Sequence, residues 1–414
     1  MNMAPRDISQ DLTVHLLRSL SEVEDLRADW TELHRRDPQA GLFLSWDWMM
    51  HGFRDNPGRF TVLVARADAV SDQVVAILPL KSRVHWSRSK SEFQTQYQAA
   101  GRLIGGEYAG FICDPDWEEV ALPALAQTLD QMPWTTLSLR YVDQIDRIKA
   151  FRAGFARADY STRFRPYLIN KGETDNLVSP QVTLPDSFDA FLNEALSANS
   201  RQKFRRLERK HLNTGELHLT DTGPETFDTH LEILLEFWGR KWIPKKGAAT
   251  AAKAADMYRR TLRAGLETGT LFLPVLWRGD TPLGGLGHIL DHEQKAVHFI
   301  VAGRDVDADV SFAGQILHLG SIEWAIAHGY RVYDFCHGNE PYKYSYGTTD
   351  KETRYLTVQR REALGARAFD RDNTPEALLR VQDQIKAKKY DLAMRACAQL
   401  IASFSDEEGG AEAS

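Results

Sequence analysis

The sequence predicts an α/β fold of the α+β kind, and two observations carry that prediction. Through the first 170 residues, short strand-like runs alternate with helical runs, the order of a sheet flanked by helices and not of a helical bundle. After a turn-rich stretch, Asn170–Pro180, strands and helices recur and end in three consecutive strands, a helix and one more strand.

The elements follow in order. Thr13–Leu17 reads as a strand, and Ser21–His34 as a helix capped by Ser21 with Glu24 three residues on. Phe43–Met49 opens an aromatic-rich helix whose rings are expected in the core. Phe60–Arg66 and Gln73–Val84 are strands, followed by a loop through Ser87–Ser91. Trp117–Met132 is a helix, Thr136–Val142 a strand, Gln144–Arg157 a helix and Tyr160–Ile169 a strand. Beyond the Asn170–Pro180 linker come strand Leu217–Thr220 and helices Glu225–Lys241 and Ala251–Thr268. Strands Thr270–Trp277, Leu283–Leu290 and Lys295–Val301 then turn back on one another at Arg278–Asp280 and Asp291–Gln294. Pro375–Phe404 is a basic amphipathic helix or helix pair, expected to dock on the second lobe or to lie on a membrane surface. Ser405–Ser414 is expected to be disordered.

Composition narrows the function. With 43% hydrophobic residues in 414, the chain can bury a core and is long enough for two or three domains. Its 51 basic and 57 acidic residues give a net charge of −6, and Asp406, Glu407, Glu408 and Glu412 supply four of the acids. A nearly neutral body does not call for nucleic acid. Cys113, Cys336 and Cys397 are too scattered for a disulfide framework or a zinc site, so a reduced, cytoplasmic protein with no bound metal is expected. No run approaches the ~18 apolar residues of a membrane span, and the polar N-terminus with Arg6, Asp7 and Asp11 is not a signal peptide.

The stretch from Ala296 to Gly347 organises the rest. Val297–Val301 is a strand, Arg304–Gly314 a polar loop edged by glycines, and the apolar residues from Ile316 to Ala327 fall at helical spacing up to Gly329. Arg331–Phe335 is a second strand, followed by the cluster His337–Lys343. A helix that starts after a strand and a glycine loop offers free N–H groups and a positive dipole end, a natural seat for pyrophosphate.

The loop Ser311–Gln315, its helix, and Tyr333-Asp334-Phe335 ahead of Gly338-x-Glu340-x-Tyr342-Lys343 resemble the acyltransferase half of GNAT-type proteins. The nearest branch is that of the cellulose-biosynthesis-associated acetyltransferase-like proteins, related to Fem-type peptidyltransferases that use aminoacyl-tRNA. The likeness spans roughly residues 10–360. The loop departs from the family in carrying Asp305, Asp307 and Asp309. The resemblance implies two tandem GNAT-like lobes, each a mixed, mostly antiparallel sheet flanked by helices. They would occupy residues 1–170 and 171–360, with a helical extension at 361–404 and an acidic tail at 405–414. It implies acyl-CoA as co-substrate, with no permanently bound cofactor, held by Val301, Arg304, Ala313, Gly314 and Gln315.

Acyl transfer from a thioester to an amine needs a neutral amine, donors for the oxyanion and a proton for the thiolate. The cluster after Phe335 offers all three. His337 or Glu340 is a candidate base, Tyr342 or Tyr344 a candidate acid, and Lys343 a candidate for the oxyanion or for an anionic substrate group. The resemblance favours Lys343, since Fem-type relatives place a lysine there for transition-state stabilisation. Each has a plainer reading: His337 as a loop hydrogen-bonder, and Glu340 as a salt-bridge partner. Asp334 and His298 read as structural, and Cys336 as a poor nucleophile because adjacent strand residues face opposite ways.

Ser200–Leu212 carries six basic residues and one acidic, and Arg201, Lys203, Arg205 and Arg206 are candidates for anion binding. The anion would be the CoA 3′-phosphate, anionic lipid or a tRNA backbone, against the plainer reading of a solvated face. The function expected is acyl-CoA-dependent N-acylation of a primary amine. Members of this branch include bacterial ceramide synthases, which implies a lipid-like acceptor such as the sphingoid base 3-oxosphinganine and peripheral contact with the inner membrane. The alternatives are an aminoacyl-tRNA-dependent Fem-type transferase and a non-catalytic component of exopolysaccharide biosynthesis.

Overall fold

The structure, a computed structural model, describes residues 12–67, 72–308, 310, 312–361 and 364–405. The chain divides into two compact units, one of residues 1–103, 108–166 and 353–414, the other of 104–107 and 167–352.

The first unit is built on a sheet whose path runs Leu12–Leu17, Phe60–Ala67, Gln73–Ser87, Glu92–Ala99, Thr136–Val142, Arg354–Arg360 and Tyr160–Phe164. Its central strands are apolar on both sides because helices cover both faces. Leu122, Leu125 and Phe151, from helices Glu118–Gln131 and Ile145–Ala153, pack with Leu63, Leu78 and Leu137. Trp30, Met49 and Phe53, from helices Arg27–Arg36 and Trp46–Arg54, pack on the alternate residues Val62, Val64 and Ile77. The expected aromatic core is present, with Phe43, Trp46 and Trp48 buried.

Several expectations need correction here. The first helix starts two residues early, capped by Ser19 in a capping box with Glu22, and a second helix begins at Arg27. Glu92–Ala99 is a strand that the sequence reading passed over. Its glutamines hide a strict alternation in which Phe93, Thr95, Tyr97 and Ala99 point inward. Strand Arg354–Arg360, expected in the second lobe, pairs with Thr136–Val142 and Tyr160–Phe164 in the first unit's sheet. Helices Thr374–Lys386 and Tyr390–Ser405, expected to dock on the second lobe, belong to this unit, with Val381, Ala396 and Leu400 against Val84, Phe93 and Phe369. The acidic tail beyond Ser405 lies outside the described residues.

The second unit repeats the plan. Its sheet runs Leu217–Thr220, Val275–Arg278, Thr281–Asp291, Ala296–Arg304, Val332–Asp334, Val178–Thr183 and Thr349–Glu352. In both sheets the fourth and fifth strands are parallel and the other neighbours on the path antiparallel. Two mixed, mostly antiparallel sheets of one topology therefore stand in tandem, as the fold class predicted. The linker expected at Asn170–Pro180 already contains the start of strand Val178–Thr183, whose partners are Val332–Asp334 and Thr349–Glu352. Helix Ala313–Ala327 buries Ile316, Leu317, Leu319 and Ile322 with Leu286, Val297, Phe299 and Tyr333 of the sheet.

Candidate active site

Strands Ala296–Arg304 and Val332–Asp334 pair only from Ala296 to His298. Beyond His298 the longer strand continues to Arg304 beside Thr281–Asp291, while the other chain turns away through Cys336 at φ 53° and Gly338 at φ 100°. The strands part where the helix Ala313–Ala327 begins its first turns. A cavity of about 580 Å³ in this unit takes its walls from these segments, including Ala302–Arg304, Gly314, Gln315 and Tyr342. Gly303 is required there, since a Cβ would stand 2.0 Å from the carbonyl oxygen of Leu234 in helix Phe227–Lys246.

The cavity lining is of two kinds. Lys203, Lys241 and Arg304 are cations that share it with Gly314 and Gln315, and among the described residues no carboxylate joins them. Burial, with help from Arg304 and Lys245, pulls the Lys241 ammonium below its ordinary pKa, so an anion here would relieve both the desolvation and the repulsion. Phe312 makes no side-chain cap, and the N–H groups of Ala313 and Gln315 bond the carbonyls of Val310 and Phe312, so this 15-residue helix offers the cavity chiefly the positive end of its dipole. The rest of the lining is apolar or aromatic: Leu286, Leu317, Tyr342 and Tyr346, with His318 among them. The acids Asp305 and Asp307 are not part of the wall, and Asp309 and Ser311 lie outside the described residues.

Of the residues expected to hold the donor, Arg304, Gly314 and Gln315 line the cavity, while Val301 and Ala313 are buried in the adjoining strand and helix. Of the basic run, only Lys203 reaches the wall. Arg201 donates to the carbonyls of Leu192 and Asn193, Arg205 is held by Asp189 and Glu208, and Arg206 is exposed.

The cluster after Phe335 is arranged differently from the catalytic grouping expected of it. Tyr342 lines the cavity; the residue is 46% exposed, but desolvation of its hydroxyl end, then Glu340, raises the phenol above its ordinary value. Lys343 is 3% exposed and donates to the carbonyls of Cys336 (3.2 Å), His337 (2.9 Å) and Gly338 (2.8 Å). Glu340 stands 3.1 Å from the same ammonium. The three carbonyls take the three protons of that lysine and Glu340 balances its charge, so it ties the loop together. The His337 ring is likewise engaged, its Nε2 donating to the Glu107 carbonyl and its Nδ1 accepting from Ser179 Oγ at 2.9 Å. Tyr344 donates to Asp350 at 2.8 Å, and burial and that carboxylate push its phenol to about 12.

Asp334 lies 3.4 Å from His298 Nδ1 and accepts from the Cys336 N–H at 2.7 Å, which anchors the turn that follows the strand. The ligand-type atoms of His298, Asp334 and Cys336 gather within 4.8 Å of one another, a buried group that scattered sequence positions did not announce. Burial, then Asp334, pushes the Cys336 thiol far above its usual range, which suits no nucleophile.

Sequence reasoning missed His318. It sits on an apolar stripe, between Leu317 and Leu319, and a lone polar residue on such a stripe was the available signal. Its Nδ1 is 3.0 Å from the Tyr333 hydroxyl, which is 2.8 Å from His288 Nε2.

Residues 198–344 match the family model described as an acetyltransferase (GNAT) domain. Among solved structures the fold is similar to that of FemX, at 11% identity and a TM-score of 0.57 over 81% of this chain and 96% of that one. It is also similar to a conserved protein of unknown function from Bacteroides thetaiotaomicron, at 10% identity and a TM-score of 0.50 over 84% and 100%. A tandem GNAT protein from the clavulanic acid biosynthesis pathway aligns at 11% identity and a TM-score of 0.45 over 84% and 98%. Likenesses at such identities concern the fold alone. No curated protein matches the sequence. The match places a GNAT-type acetyltransferase domain on the cavity-bearing unit, and by that domain the chain is an acyltransferase.

Proposed function

We propose that this chain transfers an acyl group from an acyl-CoA to a primary amine, and that the amine belongs to a lipid-like molecule such as a sphingoid base. One observation carries the reading: a single cavity joins three cations beside an uncapped helix start to an apolar, aromatic wall. The cations Lys203, Lys241 and Arg304 suit the phosphates of the donor, and the helix dipole adds to them. Leu286, Leu317, Tyr342 and Tyr346 suit the acyl chain and the thioester, where excluded water strengthens each polar contact. Arg304, Gly314 and Gln315 are assigned to the donor, and Tyr342 to the reacting end. Lys343 and Glu340 hold the loop that carries Tyr342.

A long-chain acceptor fits the apolar wall, where Tyr342 exposes 46% of its surface. No helix among the described residues is long and apolar enough to cross a membrane, so membrane contact in this reading is peripheral. Aminoacyl-tRNA as donor is the second reading, supported by the fold shared with FemX and by the exposed cations Lys203, Arg206, Arg209 and Lys210. Purified protein given acyl-CoA and a long-chain amine should release free CoA and ignore ribonuclease. A requirement for aminoacyl-tRNA, abolished by ribonuclease, would reverse the order.

A further inference from the structure

His288, Tyr333 and His318 are a hydrogen-bonded chain whose direction can be worked out from one end. His288 Nδ1 faces the carbonyl oxygen of Phe272 at 3.1 Å, and a carbonyl only accepts, so Nδ1 carries the proton. The ring is neutral, because complete burial drives its pKa down to about 3. Its Nε2 is therefore an acceptor, and the Tyr333 hydroxyl donates to it across 2.8 Å. That hydroxyl has one proton. Its oxygen can then only accept from His318, so His318 Nδ1 carries a proton across the 3.0 Å contact.

The consequence falls on the far side of the His318 ring. Burial, with the nearby His288 and Lys343, holds this imidazole neutral too, which leaves Nε2 with a bare lone pair. His318 lines the cavity and is 5% exposed. Phe299, Phe335 and Tyr346 box the ring at centroid distances of 4.8, 5.1 and 5.4 Å, so it is held in place as well as in tautomer.

We propose that His318 is the proton-handling group of the acyl transfer, with Tyr333 and His288 as the positioning residues that fix its tautomer. The inference rests on the reading of the cavity as the acyl-donor site. The amine nitrogen attacks the thioester carbonyl carbon and forms the N–C bond, and Nε2 takes the proton that this nitrogen must lose. The C–S bond breaks with its electron pair on sulfur, and the imidazolium returns the proton from Nε2 to the thiolate. Amide and free thiol leave, and the protein ends as it began.

The full chain, labelled with ¹³C and ¹⁵N histidine, tests the first half by side-chain nitrogen NMR. His318 should be neutral with its proton on Nδ1, and Tyr333→Phe should shift it towards the Nε2–H form. A wild-type ring protonated on Nε2 overturns the proposal without any substrate. The second half uses His318→Asn, whose amide N–H can replace Nδ1–H towards Tyr333 but offers no base in place of Nε2. It should melt near the wild type, keep its acyl-CoA dissociation constant by calorimetry and lose turnover by about 10²–10⁴-fold. Turnover within about threefold of wild type, far inside that range, would overturn it. Tyr333→Phe should lower kcat and leave KM for the donor unchanged, whereas a purely structural tyrosine would change only the melt. If wild-type protein binds and cleaves no acyl-CoA, the donor reading fails and the catalytic role falls with it, while the spectra still decide the tautomer.

Discussion

The ammonium of Lys343 sits 2.8 Å from the carbonyl oxygen of Gly338, five residues back along the chain. Gly338 is at φ 100°, a conformation that glycine reaches without strain, and the turn there points successive carbonyls at one cation. The loop beside the cavity is thus folded around a buried charge.

Removing that charge should be felt first as lost order. Lys343→Met leaves buried carbonyls without their donor and Glu340 without its counter-charge, at a cost on the order of 3 kcal/mol. The expected outcome is a lower melting temperature, with turnover in the folded fraction reduced less than about tenfold, well short of the ~10²–10³ that loss of an oxyanion donor costs. A loss of that larger size with an unchanged melt would return Lys343 to direct charge stabilisation.

Gly314 separates space from charge. Among the described residues a Cβ at this position meets only Arg304 Cδ at 3.8 Å, an ordinary contact, so Gly314→Ala should bind acyl-CoA nearly as well as wild type. Gly314→Glu sets a carboxylate among Lys203, Lys241 and Arg304, and should weaken binding by about tenfold or more, equivalent to ~1.4 kcal/mol. Calorimetry on the two variants checks both, and equal affinities would remove the anion from this end of the cavity.

His288 makes stability depend on pH. Its folded pKa, about 3, lies below the ~6.5 of a free imidazole, so the unfolded chain binds the extra proton between those values. The stability is complete above the unfolded value and is lost as pH falls towards the folded one, at up to about 1.4 kcal/mol per pH unit. Urea melts at pH 7 and pH 5 should show a smaller difference for His288→Gln than for wild type, by up to ~2 kcal/mol. An equal difference would mean that the ring takes up its proton alike in the folded and unfolded chain.

In the first unit, Arg147 is the test of a buried charge. It is 1% exposed and donates to both oxygens of Asp37, one at 2.8 Å, and to Glu118. Arg147→Met strands a buried carboxylate and should cost about 3–5 kcal/mol. Replacing Arg147 and Asp37 together by apolar residues should cost less than Arg147→Met alone. A double variant as damaged as the single would place the energy in packing.

Local pattern alone determined the strand, loop, helix and strand from Ala296 to Asp334, because each is specified by side chains a few residues apart. It also marked Arg304, Gly314, Gln315 and Tyr342, which the fold brings to one cavity. Partner choice lay beyond it. Arg354–Arg360 crosses into the first sheet and Val178–Thr183 starts inside an apparent linker, since strand pairing is set by whichever edge has open hydrogen bonds. The same holds for single side chains. Lys343 reads as a free catalytic cation until the turn at Gly338 supplies three acceptors, and His318 reads as one more position in an apolar helix. His288 lies 45 residues before Tyr333, and only the sheet brings His288 and Tyr333 together with the helix that carries His318. A proton's position on a buried ring is decided by that long-range neighbour, which no local spacing encodes.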